Sequence, residues 1–184
     1  NNLDVAKLIS DEHDVEGNVE LMPKFFDLAA KVLPNDGWLL FFFDLEHFEK
    51  LLALANLYGF KPQAWPIICK KPFMSNDAPR VSSTKNYESL FVCRKPGASL
   101  CKNLNESVLP FEWTKGEKEK YQHPFVKPKT LCAKLASHYF MPGSTVYDPY
   151  CGEGSILHAL KHDYTVIGSD KVQEHLDLLN SHDL

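Results

Sequence analysis

Apolar residues recur along this chain with two different periods, and the switches between them divide it into alternating helices and strands. Met22, Phe25, Phe26, Ala29, Val32 and Leu33 fall at helical spacing, with Asn18 as the expected N-cap and Pro34 as the stop. Residues 1 to 17, polar and acidic around Asp11 to Asp14, are expected as a loop. Asn35-Asp-Gly37 turns the chain into Trp38 to Phe43, an unbroken apolar run that predicts a central parallel strand covered on both faces. Asp44 is placed to cap a second helix, with Phe48, Leu51, Leu52 and Ala55 on one face and Gly59 at its end. Two further strands are predicted, Ala64 to Cys69 and Ser89 to Cys93. A turn-rich stretch, Lys71 to Lys85, separates them. Residues 95 to 122 interrupt the alternation at Lys95-Pro-Gly97 and again at Leu109-Pro110. It then resumes with a helix bearing Leu131, Leu135, His138 and Tyr139, a strand from Ser144 to Tyr147, a helix from Ile156 to Leu160 and a strand from Tyr164 to Gly168. This order predicts an α/β fold: a mostly parallel sheet with helices on both faces, the later strands forming an antiparallel edge, and all three tryptophans in the core.

At 44% hydrophobic and 24% charged residues, the composition is that of an ordinary globular domain rather than a disordered chain. The longest apolar run is far shorter than the roughly 20 residues of a membrane helix, so no membrane partner is expected. Five cysteines, at 69, 93, 101, 132 and 151, are odd in number and form no ligand-like cluster, which predicts reduced thiols in a cytoplasmic setting and no metal site. The net charge of −4 conceals a segregation: residues 1–60 sum to −7, residues 61–129 to +7, and residues 130–184 to −4. A basic middle between acidic flanks suits a nucleic-acid face. Chance clustering of surface lysines is the plainer alternative. Within that middle, Arg80, Lys115, Lys118 and Lys120 are the candidate phosphate contacts, and Trp113 and Tyr121 the candidate stacking residues.

The chemistry is concentrated in Asp148-Pro149-Tyr150-Cys151-Gly152-Glu153-Gly154-Ser155, which joins a predicted strand to a predicted helix through two glycines. Such a loop lets the backbone approach a ligand and aims helix N–H groups at it. Asp170, after the next strand, stands where doubly wound folds grip a ribose, with Lys171 beside it. A dinucleotide fingerprint would place a third glycine at 157, where this chain has leucine. Asp148 would also set a negative charge against a pyrophosphate. A cofactor with a cationic end, S-adenosylmethionine, fits better. Asp148 could instead simply cap or order the loop, and Asp170 could be a surface turn acid.

The run from Asp148 to Ser155 resembles the Asp-Pro-Phe-x-Gly-x-Gly-Ser/Thr cofactor motif of the DNA amino-methyltransferases, which modify adenine N6 or cytosine N4. His123-Pro124-Phe125-Val126-Lys127-Pro128 is similar to the family's His-Pro-x-x-Lys-Pro element, and Phe25 to Phe41 resembles the helix, turn and strand that follow its catalytic motif. Asp44 to Phe48 looks like phage-encoded members. The resemblance implies a Rossmann-like S-adenosylmethionine-dependent methyltransferase fold in the permuted order, catalytic half before cofactor half, and DNA as substrate. It implies that residues 150–154 wrap the methionine moiety, that Asp148 lies near its ammonium and Asp170 at the ribose, and that His123, Phe125 and Lys127 close the site. For His123 a structural hydrogen bond, for Phe125 a place in the core and for Lys127 a solvated position are the rival readings.

One single domain is expected over 1–184: the remainder of the catalytic half in 1–95, a target-recognition insert in 96–122, and the cofactor half in 123–184. The family's catalytic tetrapeptide, Asp/Asn/Ser-Pro-Pro-Tyr/Phe, does not occur in these residues. By family order it is expected upstream of Asn1, which predicts a catalytically incomplete fragment.

Overall fold

A computed structural model of the chain describes residues 15–72, 85–114, 116–117 and 126–181. The chain packs as two compact units, one made of Val19–Ser99 with Asn103–Glu112 and the other built around Leu100–Lys102 and Trp113–Leu184. The boundary between the units falls within the segment expected as a recognition insert, at Ser99, Lys102 and Glu112.

In the first unit the elements are α1 (Val15–Val32), β1 (Trp38–Phe43), a 3-10 turn (Leu45–His47), α2 (Phe48–Leu57), β2 (Lys61–Pro62), β3 (Ile67–Lys70), β4 (Tyr87–Arg94) and β5 (Val108–Pro110). The helix α1 starts three residues before the expected cap Asn18 and runs through Pro23. Asp44 makes no side-chain cap; its carboxylate pairs with Lys85 instead. The strand order is β1-β4-β3-β5, with β2 also paired to β4. Because β4 is antiparallel to β1, β2 and β3 while β5 is parallel to β3, β4 alone runs against the others.

The sheet is therefore mostly parallel in direction, but its reversed strand lies inside the order rather than at an edge. This corrects the expectation for Trp38–Phe43. Its neighbour is antiparallel, it comes first in the order, and each of its positions is only half-buried. An apolar run records that a strand is shielded but not how many strands flank it. Leu109-Pro110, read as a break, belongs to β5, where a proline at the strand end lacks only an outward N–H.

The core of this unit is aromatic. Phe26 meets Phe25, Phe41, Phe60 and Phe91 edge-on, and Phe41 lies 5.1 Å from Phe91 between ring centroids. Lys95 closes the end of α1, its Nζ donating to the Ala30 carbonyl at 2.6 Å while lying 5.3 Å over the Phe60 ring. Trp65 is not core, being 59% exposed.

The second unit contains α3 (Lys129–Tyr139), β6 (Thr145–Asp148), α4 (Ser155–Leu160), β7 (Thr165–Gly168) and α5 (Gln173–Ser181). β6 and β7 are parallel and in register from Thr145 opposite Thr165 to Asp148 opposite Gly168, with α4 as the crossover between them. Cys151, Leu157 and Leu179 form a small buried cluster joined by Val166 and Leu176. All five cysteines are free. Among the described residues no helix is long and apolar enough to cross a membrane.

Candidate cofactor site

The strand–loop–helix expected around the two glycines forms as read, and its polar groups are turned inward on one another. Asp148, the last residue of β6, accepts the Tyr150 N–H on Oδ1 at 3.0 Å, a local turn that starts the loop. Gly152 has φ +50° and Gly154 φ +78°, both in the left-handed region that glycine adopts without strain. Gly154 has a second reason to be glycine, since a Cβ there would overlap the Leu179 side chain of α5. The Gly154 N–H donates to the Cys151 carbonyl at 2.8 Å, and α4 begins at Ser155.

Asp170 organises this loop from the far strand. Its Oδ2 accepts the Gly152 N–H at 2.8 Å across 18 residues, and its Oδ1 accepts the Val172 N–H at 2.9 Å. His175 Nδ1 lies 3.3 Å from the same Oδ1. Asp170 is thus more than a surface turn acid. The carboxylate expected at the ribose is also the tie that shapes the loop. Burial raises the Asp148 carboxyl above the ordinary Asp range; the Tyr150 N–H opposes the rise and the negative charge of Asp170 adds to it. Two carboxylates therefore face the loop in a setting where a nearby cation would be welcome.

The remaining expected residues divide. Tyr150 is about half exposed; its partial burial, followed by Tyr147 and Asp148, pushes its hydroxyl up from the ordinary Tyr value. Pro149 sits in the same turn, half-buried, its carbonyl accepting from Ser169 Oγ at 3.3 Å. Cys151, expected at the cofactor, turns its side chain into the core. Its side chain belongs to the buried Leu157–Leu179 cluster, its N–H donates to the Ser169 carbonyl, and its carbonyl accepts from Gly154. Burial, followed by Asp148 and Asp170, pushes its thiol up to about 12. Lys171 is exposed. Lys127 is half-buried and its backbone N–H donates to Ser155 Oγ at 3.4 Å. Trp113 is half-buried. His123, Phe125, Arg80, Lys115, Lys118, Lys120 and Tyr121 lie outside the described residues.

Two residues that bear on the site were not read from the sequence. His175 lies in the first turn of α5, where the helix start turns its ring back to Asp170 five residues earlier. Glu117 is the other, and it carried a legible signal: Thr114-x-x-Glu117 is the pattern of a capping box.

The chain resembles solved methyltransferases over most of its length. It superposes on M1.HpyAVI in complex with SAM with a TM-score of 0.75 at 22% identity, covering 92% of this chain and 85% of that one. It superposes on the cytosine-N4-specific PvuII DNA methyltransferase with a TM-score of 0.78 at 12% identity, over 96% and 76% of the two chains. For TTHA0409 of Thermus thermophilus, a putative DNA modification methylase complexed with S-adenosyl-L-methionine, the TM-score is 0.61 at 18% identity, over 91% and 76%. No curated protein matches the chain. At these identities the likeness establishes the fold, an α/β methyltransferase fold. The sequence profile of the N6/N4 DNA methylases matches residues 2–181, nearly the whole chain, and the protein belongs to that family of S-adenosylmethionine-dependent DNA methyltransferases.

Proposed function

We propose that this chain binds S-adenosylmethionine in the loop 148–155 and contributes the cofactor half of a DNA amino-methyltransferase acting on adenine N6 in preference to cytosine N4. The observation that carries the reading is the pair Asp148 and Asp170, set around a two-glycine loop at the ends of two parallel strands. The donor set fits this cofactor. A pyrophosphate would meet like charge there, whereas an ammonium and a sulfonium would be attracted. When bound, the cofactor supplies an activated methyl group. The residues' own work is to hold it: Gly152 and Gly154 admit its methionine end, Asp148 faces the ammonium, the free lone pairs of Asp170 accept from the ribose, and Ser155 with Lys127 borders the loop. Titration calorimetry tests this directly. Tight binding of NAD with no response to S-adenosylmethionine or S-adenosylhomocysteine would overturn it.

DNA is the proposed partner, supported by family membership and by the +7 sum of residues 61–129. Binding should weaken as salt rises, because neutralised phosphates release counterions. Reversing Lys115, Lys118 and Lys120 to Glu should weaken it further; no loss in that triple variant moves the face elsewhere.

A second reading is that these residues bind cofactor and DNA without completing the reaction. The amine-binding Pro-Pro-aromatic tetrapeptide is not among the 184 residues, and without it the target amine has neither acceptor nor stacking partner. Residues 1–184 should then take up S-adenosylmethionine yet transfer no labelled methyl group to DNA rich in either adenine or cytosine targets. Turnover on adenine DNA by this chain would show that another of its groups orients the amine.

A further inference from the structure

Helix α3 begins after Pro128, which has no polar side chain to cap it, and no acidic residue lies in its first turn. The cap is supplied from outside the helix. Glu117, 12 residues before Lys129, accepts the Lys129 backbone N–H on Oε1 at 2.6 Å. Its Oε2 accepts the Thr114 N–H at 2.8 Å and the Thr114 hydroxyl at 2.9 Å. At 6% exposure, this carboxylate replaces water with three protein donors. Burial works against its charge, yet the bonds from Lys129 and Thr114 outweigh it and hold the carboxyl below the usual Glu range. An anion at a helix N-terminus is also favoured by the helix dipole.

What Glu117 fixes is the backbone that borders the cofactor loop. Pro128, between Lys127 and the capped Lys129, is fully buried, and the Lys127 N–H donates to Ser155 Oγ at the start of α4. We propose that Glu117 is a positioning residue of the cofactor site, acting through Lys129 and Pro128 to hold the Lys127 backbone against Ser155. It thereby ties Thr114, next to the candidate stacking residue Trp113, to the loop that binds cofactor. The inference rests on the cofactor reading above and names a residue which that reading does not use.

Two variants separate this clamp from a local turn. In Glu117→Asp the carboxylate is one methylene too short to span from Thr114 to Lys129, whereas Thr114→Ala removes only the hydroxyl contact. Both are compared with the unaltered chain by amide hydrogen exchange at Lys129 and by calorimetric titration with S-adenosylmethionine. Glu117→Asp should speed Lys129 exchange by about tenfold or more, as loss of a charged hydrogen bond implies, and should weaken cofactor binding several-fold. Thr114→Ala should leave both nearly unchanged. Wild-type exchange at Lys129 in Glu117→Asp overturns the proposal; so does faster exchange with unaltered cofactor affinity, which would make Glu117 a helix cap and nothing more. If circular dichroism shows Glu117→Asp unfolded, Glu117→Gln, which keeps the length but presents one acceptor, is judged by the same two criteria. Protection of Lys129 in an unaltered chain that binds no S-adenosylmethionine would instead remove the cofactor reading, and the positioning role with it.

Discussion

The two units hold themselves together by different physics. In the unit of β1 to β5, stability comes from aromatic rings: Phe26, Phe60 and Phe91 are fully buried, with Phe41, Phe43 and Phe48 packed against them. In the unit of β6 and β7, beside the apolar residues buried on α3 and α4 such as Leu131, Leu135, Leu157 and Leu160, carboxylates organise the loops: Asp148, Asp170 and Glu117 each accept at least one backbone N–H. Apolar packing is insensitive to pH and to ligand charge. A loop shaped by carboxylates is sensitive to both, which suits a site for a cationic cofactor.

The largest effect that would sharpen this contrast lies in the aromatic unit. Phe91→Ala should lower unfolding stability by about 3–5 kcal/mol, the usual cost of a buried phenylalanine cavity, measured by denaturant titration. Molecules still folded should bind S-adenosylmethionine as before. A specific loss of cofactor affinity there would break the division of labour.

In the cofactor unit, Asp170→Ala removes acceptors from the Gly152 and Val172 amides. It should weaken S-adenosylmethionine binding by about 1.5–3 kcal/mol by calorimetry, since a charged hydrogen bond is lost. Unaltered affinity would make Asp170 a structural residue only. Gly154→Ala should cost about 1–3 kcal/mol of stability, from left-handed backbone strain and displacement of Leu179. Its thermal midpoint would report it.

The pH response of the two carboxylates Asp148 and Glu117 should also differ. Asp148 binds its proton more tightly folded than unfolded, so its ionisation lowers stability as pH rises from the ordinary Asp value of 3.8 through its raised folded value. Glu117 has the opposite sign: its contribution is present above the ordinary Glu value of 4.5 and is lost as pH falls through its lowered folded value. Asp148→Asn should remove the first slope, and weaken cofactor binding at neutral pH by removing a negative charge. A stability profile identical to wild type across the acid range above the ordinary Asp value would contradict the burial of Asp148. The smallest effect is expected at Lys85→Ala, which breaks a half-exposed ion pair with Asp44. That change should stay below about 1 kcal/mol.

Much of this was legible in the order of residues. The two glycines, the acid after the next strand and the apolar spacing of the helices each act locally, so strand, loop, helix and strand could be read near Asp148 without knowing the fold. Pairing could not. Nothing in Trp38 to Phe43 says that its neighbour is Arg94 to Ser89 running the other way, and nothing in Val108 to Pro110 says that it completes a sheet beside β3. The Thr114–Glu117 pattern was present, but nothing in it shows that Glu117 also accepts the Lys129 N–H, 12 residues on, and so caps a helix whose own N-cap is proline.

The sequence by itself determined the class of cofactor loop, the family and the mostly parallel α/β plan, because those depend on residue type at short spacing. Tertiary structure alone decided that Asp170 ties the loop through the Gly152 N–H, that Cys151 turns into the core, and that β4 reverses inside the sheet. Those outcomes depend on which distant groups meet, and a buried carboxylate or thiol takes its role from the partners the fold brings to it.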